Sequence, residues 1–170
     1  MFKALRDFIT ELSGETPSRR FADDDHRLAV AALLVHLISV DGIVRPAEQA
    51  AIGRALSQSY GLSPEETLQL VAEARAADDE AVDLYRFTSV LKRTLDEDGR
   101  LRVIEMMWQA VYADGTVTEF EENTVWRVAE LLGISTRERV SLRQRVANAQ
   151  ENAPEAAPAA DAVPSRPATA

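Results

Sequence analysis

The pattern Asp-Gly-x-Val-x-x-x-Glu occurs twice in this chain, at residues 41–48 and 114–121, an offset of 73. The agreement runs past the pattern itself. Upstream, Leu34, Val35 and Ile38 match Met107, Trp108 and Val111; downstream, Ile52 and Ala55 match Val125 and Val128. With the offset reduced by one, Gly61-Leu62-Ser63 matches Gly133-Ile134-Ser135, and Glu66 matches Glu138. Two copies make a duplication inside one domain, because a solenoid needs at least about three repeats. The expected architecture is a compact bundle with an internal pseudo-two-fold repeat.

The repeated unit is helical. No segment alternates apolar and polar residues with period two, while apolar residues recur at i, i+3 and i+4. Caps delimit seven helices. They start near Asp25, at Pro46, after Ser63, near Ala81, near Arg100, at Thr118 and at Ser135. Ser63-x-x-Glu66, Thr118-x-x-Glu121 and Ser135-x-x-Glu138 are capping boxes, the first with Pro64 at its preferred N1 position. The predicted fold class is all-α, and residues 25–149 form the helical domain.

The ends read differently. Residues 1–12 carry Phe2, Leu5, Phe8, Ile9 and Leu12 on one helical stripe, followed by a linker over 13–24. The polar face of that amphipathic helix has only Lys3 and Arg6 as bases, against Asp7 and Glu11. A membrane-surface helix prefers a strongly basic face, so peripheral membrane contact is disfavoured, and docking on the domain or on a protein partner is preferred. Residues 150–170 are rich in Ala and Pro and show no apolar periodicity, which predicts a disordered tail.

Composition excludes several functions. There is no cysteine, which removes disulfides, thiolate metal sites and thiol redox chemistry. Asp and Glu number 28 against 19 Lys and Arg, a formal net charge of −9, the wrong sign for a dedicated nucleic-acid binder. The ends carry +1 (residues 1–22) and −2 (residues 151–170), which leaves −8 on the helical domain. The most apolar run, Leu28–Val40, is too short for a membrane span of about 20 residues. The first residues lack the apolar core of a signal peptide. A cytoplasmic protein is the expectation.

The two Asp-Gly junctions admit two chemistries. In one, glycine after Asp41 and Asp114 supplies a left-handed turn, while Glu48 and Glu121 sit in the first turn of the following helix and meet its dipole. In the other, Asp41, Glu48, Asp114 and Glu121 are metal ligands. The spacing copies the second half of an EF-hand loop: Asp at position 5, Gly at 6, an apolar residue at 8, Glu at 12. Positions 1 and 3 do not fit, being Leu37 and Ser39 in one copy and Ala110 and Tyr112 in the other. A site therefore requires both loops to converge on one hard cation, with calcium or magnesium favoured over zinc. Asp96, Asp98 and Glu105 around Gly99 give a third partial match, read as a helix cap.

Residues 31–48, residues 107–121 and the Leu-Gly-Ile-Ser that follows resemble the TerB family of tellurite-resistance-associated proteins, over roughly 25–148. The resemblance implies a compact all-α domain of about seven helices, a sensing or scaffold role linked to stress response, and an acidic metal-binding surface to which Asp41, Glu48, Asp114 and Glu121 correspond. It implies a non-enzymatic protein with a protein partner.

An enzyme reading finds little support. The chain has only His26 and His36; His36 lies in the apolar first helix and reads as packing, and His26 as a first-turn surface residue. No phosphate loop or nucleotide fingerprint occurs. Trp108, Trp126, Phe87, Tyr85 and Phe120 read as core or seam aromatics. Asp78-Asp79-Glu80 and Asp96-Glu97-Asp98 read as solvated helix starts. The arginines of the last helix, Arg137, Arg139, Arg143 and Arg145, read as a solvated basic face.

Overall fold

The structure, a computed structural model, describes residues 20–152. The amphipathic helix expected at 1–12, most of the linker and the tail from 153 onward lie outside the described residues. Among the described residues are seven α-helices and a short 3₁₀ turn, with no strand. They are α1 (His26–Ser39), α2 (Pro46–Tyr60), α3 (Pro64–Glu80), α4 (Tyr85–Thr94), α5 (Glu97–Val111), α6 (Glu119–Leu131) and α7 (Thr136–Glu151), with the 3₁₀ turn at Tyr112–Asp114. None is long and apolar enough to cross a membrane.

Helix α1 organises the fold because it is apolar on nearly every side, His36 being the break. Ten of the eleven positions from Leu28 to Ile38, all but His36, are buried. A helix with no polar face has to be surrounded, and α2, α3, α4, α5 and α6 all pack on it. Helix α5 is the second buried helix, through Val103, Ile104, Met106, Met107, Trp108, Ala110 and Val111, and it holds α2, α6 and α7. Both buried helices run directly into an Asp-Gly junction.

The local rules account for the helix ends. Ser63, Thr118 and Ser135 each accept a hydrogen bond from the N3 amide, while Glu66, Glu121 and Glu138 accept the N-cap amide in return. Helix α5 begins at Glu97, earlier than the expected Arg100, because Asp96 Oδ1 accepts the Gly99 amide at 2.8 Å. Helix α3 continues through Asp78-Asp79-Glu80, which the sequence assigns to a helix start; Asp78 instead ties the last turn of α3 to His36 on α1. Helix α4 accordingly starts at Tyr85, where Asp83 Oδ1 accepts the Tyr85 amide.

The segment before α1 is anchored. Phe21 is buried in the core, and the Arg20 and Phe21 amides both donate to the Glu73 carboxylate on α3. Asp25 caps α1 by accepting the Arg27 amide at 2.9 Å.

Candidate functional site

Both Asp-Gly junctions have the same local geometry. Gly42 and Gly115 are left-handed, with φ of 78° and 77°. The Asp before each glycine folds back over it: Asp41 Oδ1 accepts the Ile43 amide at 2.9 Å, and Asp114 Oδ1 accepts the Thr116 amide at 2.8 Å. The Glu seven residues on reaches back to the N-cap amide. Glu48 Oε2 accepts from Arg45 at 3.1 Å and Glu121 Oε2 from Thr118 at 2.8 Å. Each carboxylate thus spends one oxygen on its own turn or cap.

The other four oxygens point at one place, the guanidinium of Arg45. Its Nη1 donates to Asp41 Oδ2 at 3.1 Å and to Glu48 Oε1 at 3.2 Å. Its Nε lies 3.0 Å from Asp114 Oδ2, and Nη1 lies 4.0 Å from Glu121 Oε1. The four sequence-predicted residues do meet, and they meet around an arginine that the sequence reading assigned no role.

Charge and burial at the junction are unbalanced. Four carboxylates face this one guanidinium, a formal −3 when all are ionised. Glu48 and Glu121 are completely buried. Glu121 Oε1 is too far from Arg45 for a hydrogen bond and accepts none. A buried carboxylate oxygen without a donor costs free energy, and its presence calls for an explanation. Burial pushes Glu48 above the ordinary carboxylate range, with the neighbouring Glu121 charge adding to the effect and the Arg45 amide opposing it. Asp41 is held below that range, chiefly by the Ile43 amide and then by Arg45. Arg45 itself is held more firmly protonated, first by Asp41.

The donor set is all oxygen and largely buried, and oxygen donors suit a hard cation. Among the described residues, however, no group of three or more His, Asp or Glu side chains stands spaced to hold a metal ion. The apolar residues Ile43 and Phe120, one beside each junction, are exposed.

Elsewhere the structure corrects several side-chain readings. His36 is half-exposed, and its Nδ1 lies 3.0 Å from Asp78 Oδ1 in a cleft of about 400 Å³ that also holds Val82, Tyr85 and Arg127. It is one of the few polar positions on an otherwise apolar helix, and that was the signal available. Tyr85 and Phe120 are exposed rather than core, since both lie in the first turn of a helix whose buried face is elsewhere. Trp108 is fully buried and packs against Trp126 and Tyr112. The arginines of α7 serve the protein's own surface: Arg143 pairs with Glu122, Arg145 with Glu105, and Arg139 covers Trp126.

Comparison with known proteins places the chain in a family context. Residues 27–144 match the profile of the family described as tellurite resistance protein TerB. The fold is similar to the crystal structure of a protein of unknown function from Porphyromonas gingivalis W83, with a TM-score of 0.55 and 19% identity, covering 75% of this chain and 97% of that one. At that identity the likeness speaks for the fold alone. No curated protein matches the chain.

Proposed function

The chain belongs to the TerB family, and from that premise we propose that it is a non-enzymatic, stress-linked domain that binds a hard divalent cation between its two Asp-Gly junctions. Asp41, Glu48, Asp114 and Glu121 are the ligands, and calcium or magnesium is preferred to zinc because every donor is an oxygen. The observation that carries this reading is the fully buried Glu121 Oε1, which accepts no hydrogen bond, among three further carboxylate oxygens turned toward the same point. The turns do not compete with this role, because each carboxylate caps with one oxygen and presents the other.

The test is a calorimetric titration with Ca²⁺, Mg²⁺, Mn²⁺ and Zn²⁺ beside thermal melting. An ion at about 100 times its Kd stabilises by about 2.7 kcal/mol, which raises the Tm of a domain this size by several degrees. Asp41→Asn combined with Asp114→Asn removes the effect. Melting unchanged by all four ions refutes the reading.

A second reading is a protein-interaction module with the acids acting only as caps. It is supported by Ile43 and Phe120, which lie exposed beside the two junctions. Loss of a defined partner on Ile43→Ser plus Phe120→Ser, with unchanged melting and no cation binding, favours it.

A further inference from the structure

We infer that Arg45 is a built-in, exchangeable counter-ion: a divalent cation enters the junction only as the Arg45 guanidinium leaves it. This rests on the cation-binding reading and adds to it the feature that sets the affinity.

Three observations carry the inference. First, the guanidinium lies against the same four oxygens that a cation would need: within 3.2 Å of Asp41, Glu48 and Asp114, and 4.0 Å from Glu121. Two cations in that space repel each other, so occupancy by one excludes the other. Second, Arg45 satisfies the junction incompletely. It leaves Glu121 Oε1 without a donor, so the ion that replaces it meets an oxygen that Arg45 does not serve. Third, Arg45 is placed to leave. Its side chain is 23% exposed whereas Glu48 and Glu121 are 0% exposed. It stands at the N-cap of α2, and an outward swing needs only side-chain torsions.

The second junction supplies no such group of its own. The residue matching Arg45 is Thr118, with nearly the same backbone: φ −94°, ψ 141° at Arg45 and φ −88°, ψ 154° at Thr118. Thr118 caps its helix through Oγ1 and carries no charge. At this position the two copies of the loop differ in formal charge. A cation therefore acts against an internal competitor, and binding releases an arginine side chain to the surface. The ligand site and an outward-facing basic group become alternatives of one equilibrium.

The experiment is Ca²⁺ titration by calorimetry of the full chain and of Arg45→Thr, which copies the residue of the second junction and supplies the N-cap oxygen that Arg45 lacks. Arg45→Lys serves as a companion that keeps the charge, and circular dichroism checks that each variant is helical. In the wild type, the Arg45 Nε–H resonance is followed during the titration. The expected result is at least tenfold tighter Ca²⁺ binding by Arg45→Thr than by the wild type, weaker binding by Arg45→Lys than by Arg45→Thr, and movement of the Nε–H resonance to the position of a solvated arginine. If the wild type binds and Arg45→Thr binds no more tightly, the exchange is overturned while cation binding stands. If only Arg45→Thr binds, Arg45 excludes the ion and cation binding by the native chain is overturned. If no variant binds, both are overturned. Should Arg45→Thr fail to fold, an Nε–H resonance that stays put while the wild type binds Ca²⁺ overturns the exchange on its own.

Discussion

Arg45 and Asp114 are 69 positions apart in the chain, and their side chains meet at 3.0 Å. The contact joins the start of α2 to the 3₁₀ turn that follows α5, so the two Asp-Gly junctions are one electrostatic unit. Removing either partner has very different consequences. Arg45→Ala leaves four carboxylates facing one another, whereas Asp114→Asn keeps the turn and lowers the excess of negative charge. In chelator-containing buffer, Arg45→Ala is expected to lower the Tm by several degrees and Asp114→Asn to change it by much less. Equal losses contradict this account of the junction.

The left-handed glycines of the two Asp-Gly junctions give a prediction free of packing effects. A Cβ built at Gly42 or Gly115 meets nothing within 4 Å. The cost of Gly42→Ala and of Gly115→Ala is then conformational, about 1–2 kcal/mol each. Urea denaturation should find the two losses similar, and Asn at either site should cost less than Ala, because Asn visits this region more readily.

Asp25 predicts a pH dependence. Its carboxyl is held below the ordinary value of 3.8, chiefly by its hydrogen bonds with the Arg27 side chain. A depressed folded-state value means that the stabilisation is present above the ordinary carboxylate range and fades as pH falls through the folded value. Asp25→Ala should cost about 1 kcal/mol near neutrality through the lost N-cap. In urea unfolding at a series of pH values, the gap between variant and wild type should narrow below about pH 4.

Tyr85 and Phe120 test the corrected assignment of the aromatics. Both are more than 60% exposed. Tyr85→Ser and Phe120→Ser should each alter stability by no more than about 0.5 kcal/mol. Trp108→Ala should cost about 3–5 kcal/mol, since its ring is fully buried.

The helices and most of their starts are legible because their causes are local; the starts at Tyr85 and Glu97 are the exceptions. Ser63 with Glu66, Thr118 with Glu121, and Ser135 with Glu138 settle three N-termini within four residues each. The convergence of the acidic loops was legible only as a requirement, because nothing within eight residues of Asp41 states where Asp114 will be. The role of Arg45 is illegible in the sequence for a related reason. Beside Pro46 it reads as an ordinary residue before a helix, and its meaning comes from a contact across the fold. One clue was available: Arg45 matches an uncharged Thr118 where the surrounding pattern repeats. A long apolar run suggests burial on all sides at His36, whereas α1 leaves that one position open to Asp78. The exposed Tyr85 and Phe120 show the limit of periodicity, which identifies a helix better than it identifies which first-turn residue faces outward.

The chain has two tryptophans, and they are in contact. Trp108 sits on α5 before the second junction and Trp126 on α6 after it, with ring centroids 5.8 Å apart at 77°. Two indoles at that separation and angle behave as a coupled pair of chromophores, and their shared near-ultraviolet signal depends on both distance and tilt. The protein thus carries its own optical ruler across the acidic junction. A change in the distance or tilt between α5 and α6 at this contact alters that signal in unlabelled material.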